Sequence, residues 1–266
     1  MEALGAIFSK LDVRDYVAKT TKSNSNNLNS YELPLVRVKN QGQVGSCCAH
    51  VLSSVVEYFN YVQHNIKTEM SVGYIYGNRT KTTHKGKGMI IRDALKTLST
   101  YGTVTKDKFP YNVEIPDAVN KFNQYANGLY EEGTISRISS YYKVKTEADI
   151  KNALKLKYPV VIGIEWYSDM KVVNGILTTN KKTYRGGHCM LIYGWNENGW
   201  KVLNSHGITW GNRGTCIIPY DMNIREAWAV VDNIKDGIQI KKPFSSKAGK
   251  TVAKVINAVG NMIQKK

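Results

Sequence analysis

One cysteine of this sequence stands where a reactive thiol is expected. Residues 41–50 read QGQVGSCCAH, with Gln41 six residues before Cys47 and two glycines between them. Apolar residues then recur at helical spacing, namely Ala49, Leu52, Val55, Val56, Phe59 and Val62. The glycines permit a sharp loop, so Cys47 should lie in the first turn of a helix. Because a helix N-terminus carries partial positive charge, that position favours the nucleophilic thiolate over the thiol.

A histidine and an asparagine far along the chain could complete this chemistry. His188 follows Gly187 and begins a predicted strand, and Asn204 comes at the end of the next predicted strand. Two neighbouring antiparallel strands would bring Asn204 within reach of His188. An amide oxygen that accepts from one imidazole nitrogen fixes the ring and leaves the other nitrogen for the thiol. In chain order the predicted set is Gln41, Cys47, His188 and Asn204.

The elements that must position these residues differ between the two halves of the chain. In the first half, apolar spacing predicts helices that begin near Cys47, near Ile90 and at Pro116, the second of them closed by Gly102. In the second half, a short helix at 147–156 is predicted among strands at 159–164, 189–193, 200–203 and 215–218. Residues 1–20 predict a short amphipathic helix, and residues 21–30 predict a polar loop. A helix-rich half followed by a strand-rich half indicates an α+β fold with two lobes, and sites commonly lie where lobes meet.

Three segments carry a likeness to a known family. They are residues 38–47 (VKNQGQVGSC), 187–194 (GHCMLIYG) and 204–214 (NSHGITWGNRG). In this order they resemble the nucleophile, histidine and asparagine segments of the papain-family cysteine peptidases, the papain and cathepsin type. The separation of His188 from Cys47 lies inside the ~130–150-residue window of that family. The resemblance implies a papain-like two-lobe fold, with a helical N-terminal lobe, an antiparallel β-barrel-like C-terminal lobe and the site in the cleft between them.

The resemblance also implies a role for each residue. Cys47 would be a thiolate nucleophile paired with protonated His188, and Asn204 would orient His188. The Gln41 side chain and the backbone N–H of Cys47 would stabilise the oxyanion that forms on a polypeptide substrate. No metal and no organic cofactor would be needed. The substrate-binding wall would include Gly86, Gly88 and Gly187.

Some positions depart from the family pattern. Val44 replaces a cysteine that secreted members use in a disulfide, and Cys48 and His206 stand where the family has tryptophan. The sequence also lacks a segment that resembles the usual inhibitory propeptide, so a compact form is expected. Two rival functions therefore remain open. One is a papain-fold structural or interaction protein with weak or no catalysis, and the other is a Cys-His amidase that acts on cell-wall amide bonds.

Composition and charge bear on partners and location. The chain of 266 residues has 37 Lys and Arg against 21 Asp and Glu, a net charge of +16. The basic amphipathic residues 241–266 either bind an anionic surface or protein partner, or pack on their own protein. No nucleic-acid motif, no membrane-spanning run and no signal peptide are evident, so a cytoplasmic or otherwise reducing compartment and a bacterial or viral origin are expected. The expected division is an N-terminal extension (1–30), a papain-like peptidase domain (31–234) and a basic tail (235–266).

Overall fold

The computed structural model describes residues 4–13, 15, 17, 28–81, 86–109, 126 and 128–232. All of them lie within Met1–Ile234, the first of two units into which the chain divides. The helix predicted from Pro116, residues 21–27 of the polar loop predicted at 21–30, and the basic tail at 241–266 lie outside the described residues.

The helices of the described residues cluster in the first half of the chain. They are α1 (Cys47–His64), α2 (Val72–Gly77), α3 (Ile91–Tyr101), α4 (Tyr130–Gly133) and α5 (Glu147–Lys155). The prediction that a helix begins at Cys47 is confirmed, and α1 packs against α2, α3 and a long strand of the sheet. The prediction that Gly102 closes α3 is also confirmed, with φ of 61° at that residue. A Thr146–Asp149 capping box begins α5.

The strands form one sheet that fills most of the second half. They are β1 (Ala6–Ile7), β2 (Tyr31–Glu32), β3 (Met89–Ile90), β4 (Ser140–Val144), β5 (Val160–Tyr167), β6 (Lys171–Val173), β7 (Ile176–Thr178), β8 (Tyr184–Asn196), β9 (Gly199–Leu203), β10 (Thr215–Ile218) and β11 (Ile224–Val231). The main order is β4-β11-β5-β8-β9-β10-β7-β6, antiparallel apart from β10 and β7. The α+β fold is confirmed. The sheet of the described residues does not close into a barrel, because β4 and β6 end the path without pairing with each other.

The register of β8 fixes where the chemistry lies. His188 pairs with Ile164 of β5, and Leu191 pairs with Leu203 at the end of β9, so Asn204 leaves the sheet close to His188. The loop after β9 is then hydrogen-bonded to the loop before α1. Ser205 accepts from the backbone N–H of Gln41 at 2.8 Å, and Gly207 donates to Lys39 at 2.9 Å. These backbone bonds join the two halves at the predicted site.

The N-terminus differs from the prediction of a short helix over residues 1–20. Ala6 and Ile7 form β1, which runs parallel to β3 and antiparallel to β8, with Ala6 opposite Met89 and Gly187. The physical reason is that these backbone groups find partners in two distant strands, and such pairing overrides a local helical spacing. As a result, β1 lies between β3, which directly precedes α3 in the helical half, and β8 in the strand-rich half.

Candidate active site

Cys47 is the first residue of α1, and its side chain is completely buried. Burial raises the pKa of the Cys47 thiol well above its ordinary value, and the adjacent Cys48 raises it further, whereas the nearby His188 acts in the opposite direction. The helix N-terminus and the imidazole therefore favour the thiolate, while the closed surroundings favour the thiol. In this structure the closed surroundings have the larger effect.

Cys48 lies on the inner side of the same helix turn. Its thiol donates to the carbonyl oxygen of Met89 at 3.6 Å, and it interacts with the buried Cys189 thiol. All four cysteines of the chain are free. Cys48 thus takes a packing position beside α1, β3 and β8, where the family pattern has a much larger tryptophan.

His188 and Asn204 meet as the sequence predicted. His188 Nε2 lies 2.7 Å from Asn204 Oδ1, and both side chains are buried. The same Oδ1 accepts from the backbone N–H of Ser205 at 2.8 Å. Two donors therefore converge on Oδ1, which fixes the orientation of the amide and places a proton on His188 Nε2. The other nitrogen, Nδ1, remains on the side of the ring away from Asn204.

His206 contacts both members of that pair. Its Nδ1 lies 3.1 Å from Asn204 Nδ2, and its ring stacks on His188 with centroids 4.7 Å apart. Because Asn204 Nδ2 can only donate, His206 Nδ1 must accept. Burial, followed by the charges of His188 and His50, lowers the pKa of His206 to about 3, so the ring is neutral near pH 7. Since Nδ1 accepts, the single proton of the neutral ring lies on Nε2. His206 therefore covers His188 and also holds the amide of Asn204.

Trp166 is a residue that the sequence analysis missed. It lies on β5, two residues beyond Ile164, and its ring is 4.8 Å from that of His188 and 5.4 Å from that of His206. Trp210 lies 5.7 Å from His206 and 6.4 Å from Trp166. The period-2 alternation of a strand places Trp166 on the same face as Ile164, and this signal could have identified it. The two indoles take over part of the cover that a tryptophan at position 206 would supply.

Gln41 is held from both ends of its side-chain amide. Its Oε1 accepts from the Ser205 hydroxyl at 2.5 Å, and its Nε2 donates to the carbonyl oxygen of Val44 at 2.9 Å. Ser205 had no predicted role, and the structure assigns it the positioning of Gln41.

The three glycines predicted as a substrate-binding wall separate into two groups. Gly88 and Gly187 face the N-terminal segment from opposite sides. A Cβ on Gly88 would lie 2.5 Å from the carbonyl oxygen of Gly5, and a Cβ on Gly187 would overlap the carbonyl oxygen of Ala6. Gly86 is exposed, and its carbonyl oxygen accepts from Arg79 at 3.3 Å. The structure therefore brings Gly88 and Gly187 to the site and leaves Gly86 at its edge.

Two further features concern cofactors and membranes. Within residues 4–232, excluding the undescribed positions, no cluster of His, Cys, Asp and Glu could hold a metal ion. Across the same positions, no helix is both long and apolar enough to span a bilayer.

Solved structures show the class of fold first. The chain is similar to xylellain, a cysteine protease from Xylella fastidiosa, with a TM-score of 0.75 and 24% identity over 86% of this chain and 96% of that one. A procathepsin B from Trypanosoma congolense is similar with a TM-score of 0.66 and 18% identity, covering 86% of this chain and 85% of that one. These likenesses establish the papain-like fold.

The family follows from the sequence comparisons. The model of the papain family cysteine proteases matches residues 24–233. An uncharacterized peptidase C1-like protein of Acanthamoeba polyphaga mimivirus is 27% identical, covering 74% of this chain and 70% of that protein. A cathepsin L-like proteinase of Fasciola hepatica is 25% identical, covering 68% of this chain and 55% of that proteinase. The chain belongs to the papain family of cysteine proteases, and the resemblance predicted from three segments is confirmed.

Proposed function

We propose that this protein is a cysteine peptidase that cleaves polypeptides through Cys47. The observation that carries the proposal is the 2.7 Å hydrogen bond between His188 Nε2 and Asn204 Oδ1 at the N-terminus of α1. It fixes the imidazole so that Nδ1 is the nitrogen available to the thiol, which is the arrangement that nucleophilic catalysis requires. Family membership supports a peptide bond as the substrate.

The proposed reaction has two halves. The Cys47 thiolate attacks the carbonyl carbon of the peptide bond, and the electrons of the C=O double bond move to oxygen. The backbone N–H of Cys47 and the side-chain amide of Gln41 donate to that oxyanion. As the tetrahedral intermediate collapses, His188 Nδ1 gives its proton to the leaving amine. A water molecule then attacks the carbonyl carbon of the thioester, and His188 takes a proton from that water. The C–S bond breaks, which releases the carboxylic acid product and regenerates the Cys47 thiolate.

A peptide-library assay tests this proposal. We expect cleavage by the wild-type chain, loss of cleavage in Cys47→Ala, and covalent labelling of Cys47 by a thiol-directed epoxide. Because Leu4–Ala6 lie against the site, the assay also includes Gly5→Val, whose side chain would overlap the backbone of Gly45. If both the wild type and Gly5→Val leave every peptide intact, the proposal is wrong.

Assays on the same two proteins, the wild type and Gly5→Val, distinguish the rival functions. Turnover of cell-wall fragments without turnover of peptides would identify an amidase. Absence of turnover, together with resistance of Cys47 to the epoxide in both chains, would identify an interaction protein. The complete burial of Cys47 is the observation that keeps this second rival in the experiment.

A further inference from the structure

His50 is a buried histidine to which the proposed reaction gives no role. It lies on α1, three residues after Cys47, and only 3% of its surface is exposed. Burial lowers the pKa of its imidazole to about 4, so the ring is neutral near pH 7. Buried polar groups generally have hydrogen-bond partners, and the partners of this ring lie in the loop before α1.

The ring of His50 binds the peptide group that precedes the proposed nucleophile. Its Nδ1 lies 3.0 Å from the carbonyl oxygen of Ser46 and 3.3 Å from the Ser46 hydroxyl. Because a carbonyl oxygen can only accept, Nδ1 carries the proton of the neutral ring and donates to that carbonyl. The C=O of Ser46 and the N–H of Cys47 belong to one planar peptide group. A donor that fixes this carbonyl therefore also fixes the direction of the Cys47 N–H.

The same ring reaches the other end of the loop that carries Gln41. His50 also interacts with the backbone of Asn40, the residue directly before Gln41. Within the loop, the carbonyl oxygen of Val44 accepts from the Gln41 side chain at 2.9 Å and from the backbone N–H of Ser46 at 2.7 Å. His50 thus contacts both ends of a loop that contains one proposed oxyanion donor and directly precedes the other.

The contact with Ser46 has two consequences for the proposed oxyanion. A donor that is already oriented stabilises a developing negative charge without reorganisation at the moment of reaction. A hydrogen bond to the carbonyl of a peptide group also polarises that group, which makes its N–H a stronger donor. Since the N–H of Cys47 belongs to the backbone, a side chain that binds its peptide group is the means of controlling it.

From these contacts we propose that His50 is a positioning residue of the oxyanion site, which holds the Ser46–Cys47 peptide group so that its N–H points at the developing negative charge. This proposal rests on the proposed peptidase function, since that charge develops only on a reacting carbonyl. The hold of His50 on the loop can be measured without turnover, so the two proposals can fail separately.

Two substitutions at position 50 and one control separate positioning from packing, all of them made in the full chain. His50→Phe keeps an aromatic ring and removes the donor, whereas His50→Asn presents an amide N–H near the place of Nδ1. Ser53→Ala is the matched control on the same helix. It also removes one buried donor, the hydroxyl that bonds to the carbonyl oxygen of Met70 at 2.9 Å, and it leaves the loop untouched.

The kinetic readout compares a peptide ester with its thiono counterpart, in which sulfur replaces the carbonyl oxygen. We measure kcat/KM per titrated Cys47 thiol, which reports the formation of the acyl-enzyme. On the oxygen ester it should fall about fivefold in His50→Phe, the fold-change expected for one neutral hydrogen bond. Because sulfur accepts hydrogen bonds weakly, the loss on the thiono ester should be under about twofold. His50→Asn should recover most of the lost rate, and Ser53→Ala should match the wild type.

Hydrogen exchange of the loop gives a second readout that needs no substrate. The backbone N–H of Val44 donates to Gln41 at 3.2 Å and that of Ser46 donates to Val44 at 2.7 Å, so both amides are protected while the loop keeps its shape. Mass spectrometry of peptides that cover residues 41–47 should show exchange about fivefold faster in His50→Phe than in the wild type. Ser53→Ala should exchange at the wild-type rate.

The outcomes separate the two proposals. Faster exchange in His50→Phe, with no turnover of any substrate by the wild type, would leave the hold of His50 on the loop standing and contradict the peptidase proposal. Equal losses on the two esters, or wild-type rates in His50→Phe, would overturn the positioning proposal. Equal exchange in His50→Phe and Ser53→Ala would overturn it as well. If His50→Phe fails to fold, as judged by circular dichroism, the smaller variant His50→Leu, which also lacks the donor, replaces it in each comparison.

Discussion

His206 offers a test of how the imidazole and amide are positioned. In the structure, His206 Nδ1 accepts from Asn204 Nδ2 at 3.1 Å, and the two imidazoles stack 4.7 Å apart. Two substitutions separate these contacts. His206→Phe keeps an aromatic ring and removes the acceptor, whereas His206→Asn can present an amide oxygen near the place of Nδ1 and removes the ring.

The magnitude follows from the contact that each variant loses. A neutral hydrogen bond contributes about 1 kcal/mol, and a stacked pair of rings contributes a similar amount. If Asn204 depends on His206 Nδ1 for its orientation, kcat should fall about fivefold in His206→Phe, with KM little changed, because the lost contact acts on His188. His206→Asn should retain more of the wild-type kcat. The pKa of His206, lowered to about 3, keeps the acceptor available across the neutral range, so this ratio should not vary with pH there.

The assay is kcat and KM on one peptide substrate in the Gly5→Val background, so that access to the cleft does not limit the rate. Wild-type kcat in His206→Phe together with a clear loss in His206→Asn would refute the reasoning. That result would mean that His206 serves only as an aromatic cover for His188, next to Trp166.

Two further predictions concern stability. Glu57→Ala should lower the free energy of unfolding in urea by about 3 kcal/mol, the lower end for a broken buried pair, because the buried Lys39 ammonium loses the carboxylate 2.6 Å away and keeps that of Glu69 at 3.8 Å. Removing exposed Glu147 beside Lys151 should cost under about 0.5 kcal/mol. Equal losses in the two variants would contradict the importance of burial. Burial lowers the pKa of His50 to about 4 from its ordinary 6.5, so the unfolded chain binds this proton more readily and stability falls as the pH drops below about 6.5. Between about pH 7 and pH 5 the loss of stability from His50 should be about 2 kcal/mol. The total loss over this range should therefore be about 2 kcal/mol smaller in His50→Asn than in the wild type, and equal losses in the two proteins would contradict the prediction.

The sequence predicted the parts of the site that depend on local pattern. The loop before Cys47, the helix after it and the strands that carry His188 and Asn204 are all encoded by glycine placement and apolar spacing within short windows. Trp166 was missed because its contact with His188 arises from the pairing of β5 with β8, which no single segment specifies. The place of Gly5 was missed for a similar reason.

The N-terminal residues Leu4–Asp12 show most clearly why the remainder could not be predicted. Ala6 pairs with Met89 and Gly187, and Ser9 bonds to Glu226 and Arg92. Each contact joins residues far apart in sequence, and the local pattern of residues 1–20 favours a helix instead. No propeptide-like segment was expected from resemblance, and residues 4–7 nevertheless lie against Gly45, Gly88 and Gly187.

The opposing influences on Cys47 lead to one more measurement. The helix N-terminus and His188 favour the thiolate, whereas burial and Cys48 raise the pKa of Cys47. If residues Leu4–Asp12 cause much of that burial, displacing them should let water reach the thiol and lower the pKa of Cys47. The pH dependence of Cys47 alkylation by iodoacetamide should then shift to lower pH in Gly5→Val than in the wild type, with no shift in Lys96→Ala, which removes an exposed positive charge from α3. Identical profiles in Gly5→Val and the wild type would mean that the surrounding α1, β3 and β8, and not residues Leu4–Asp12, set the pKa of the Cys47 thiol.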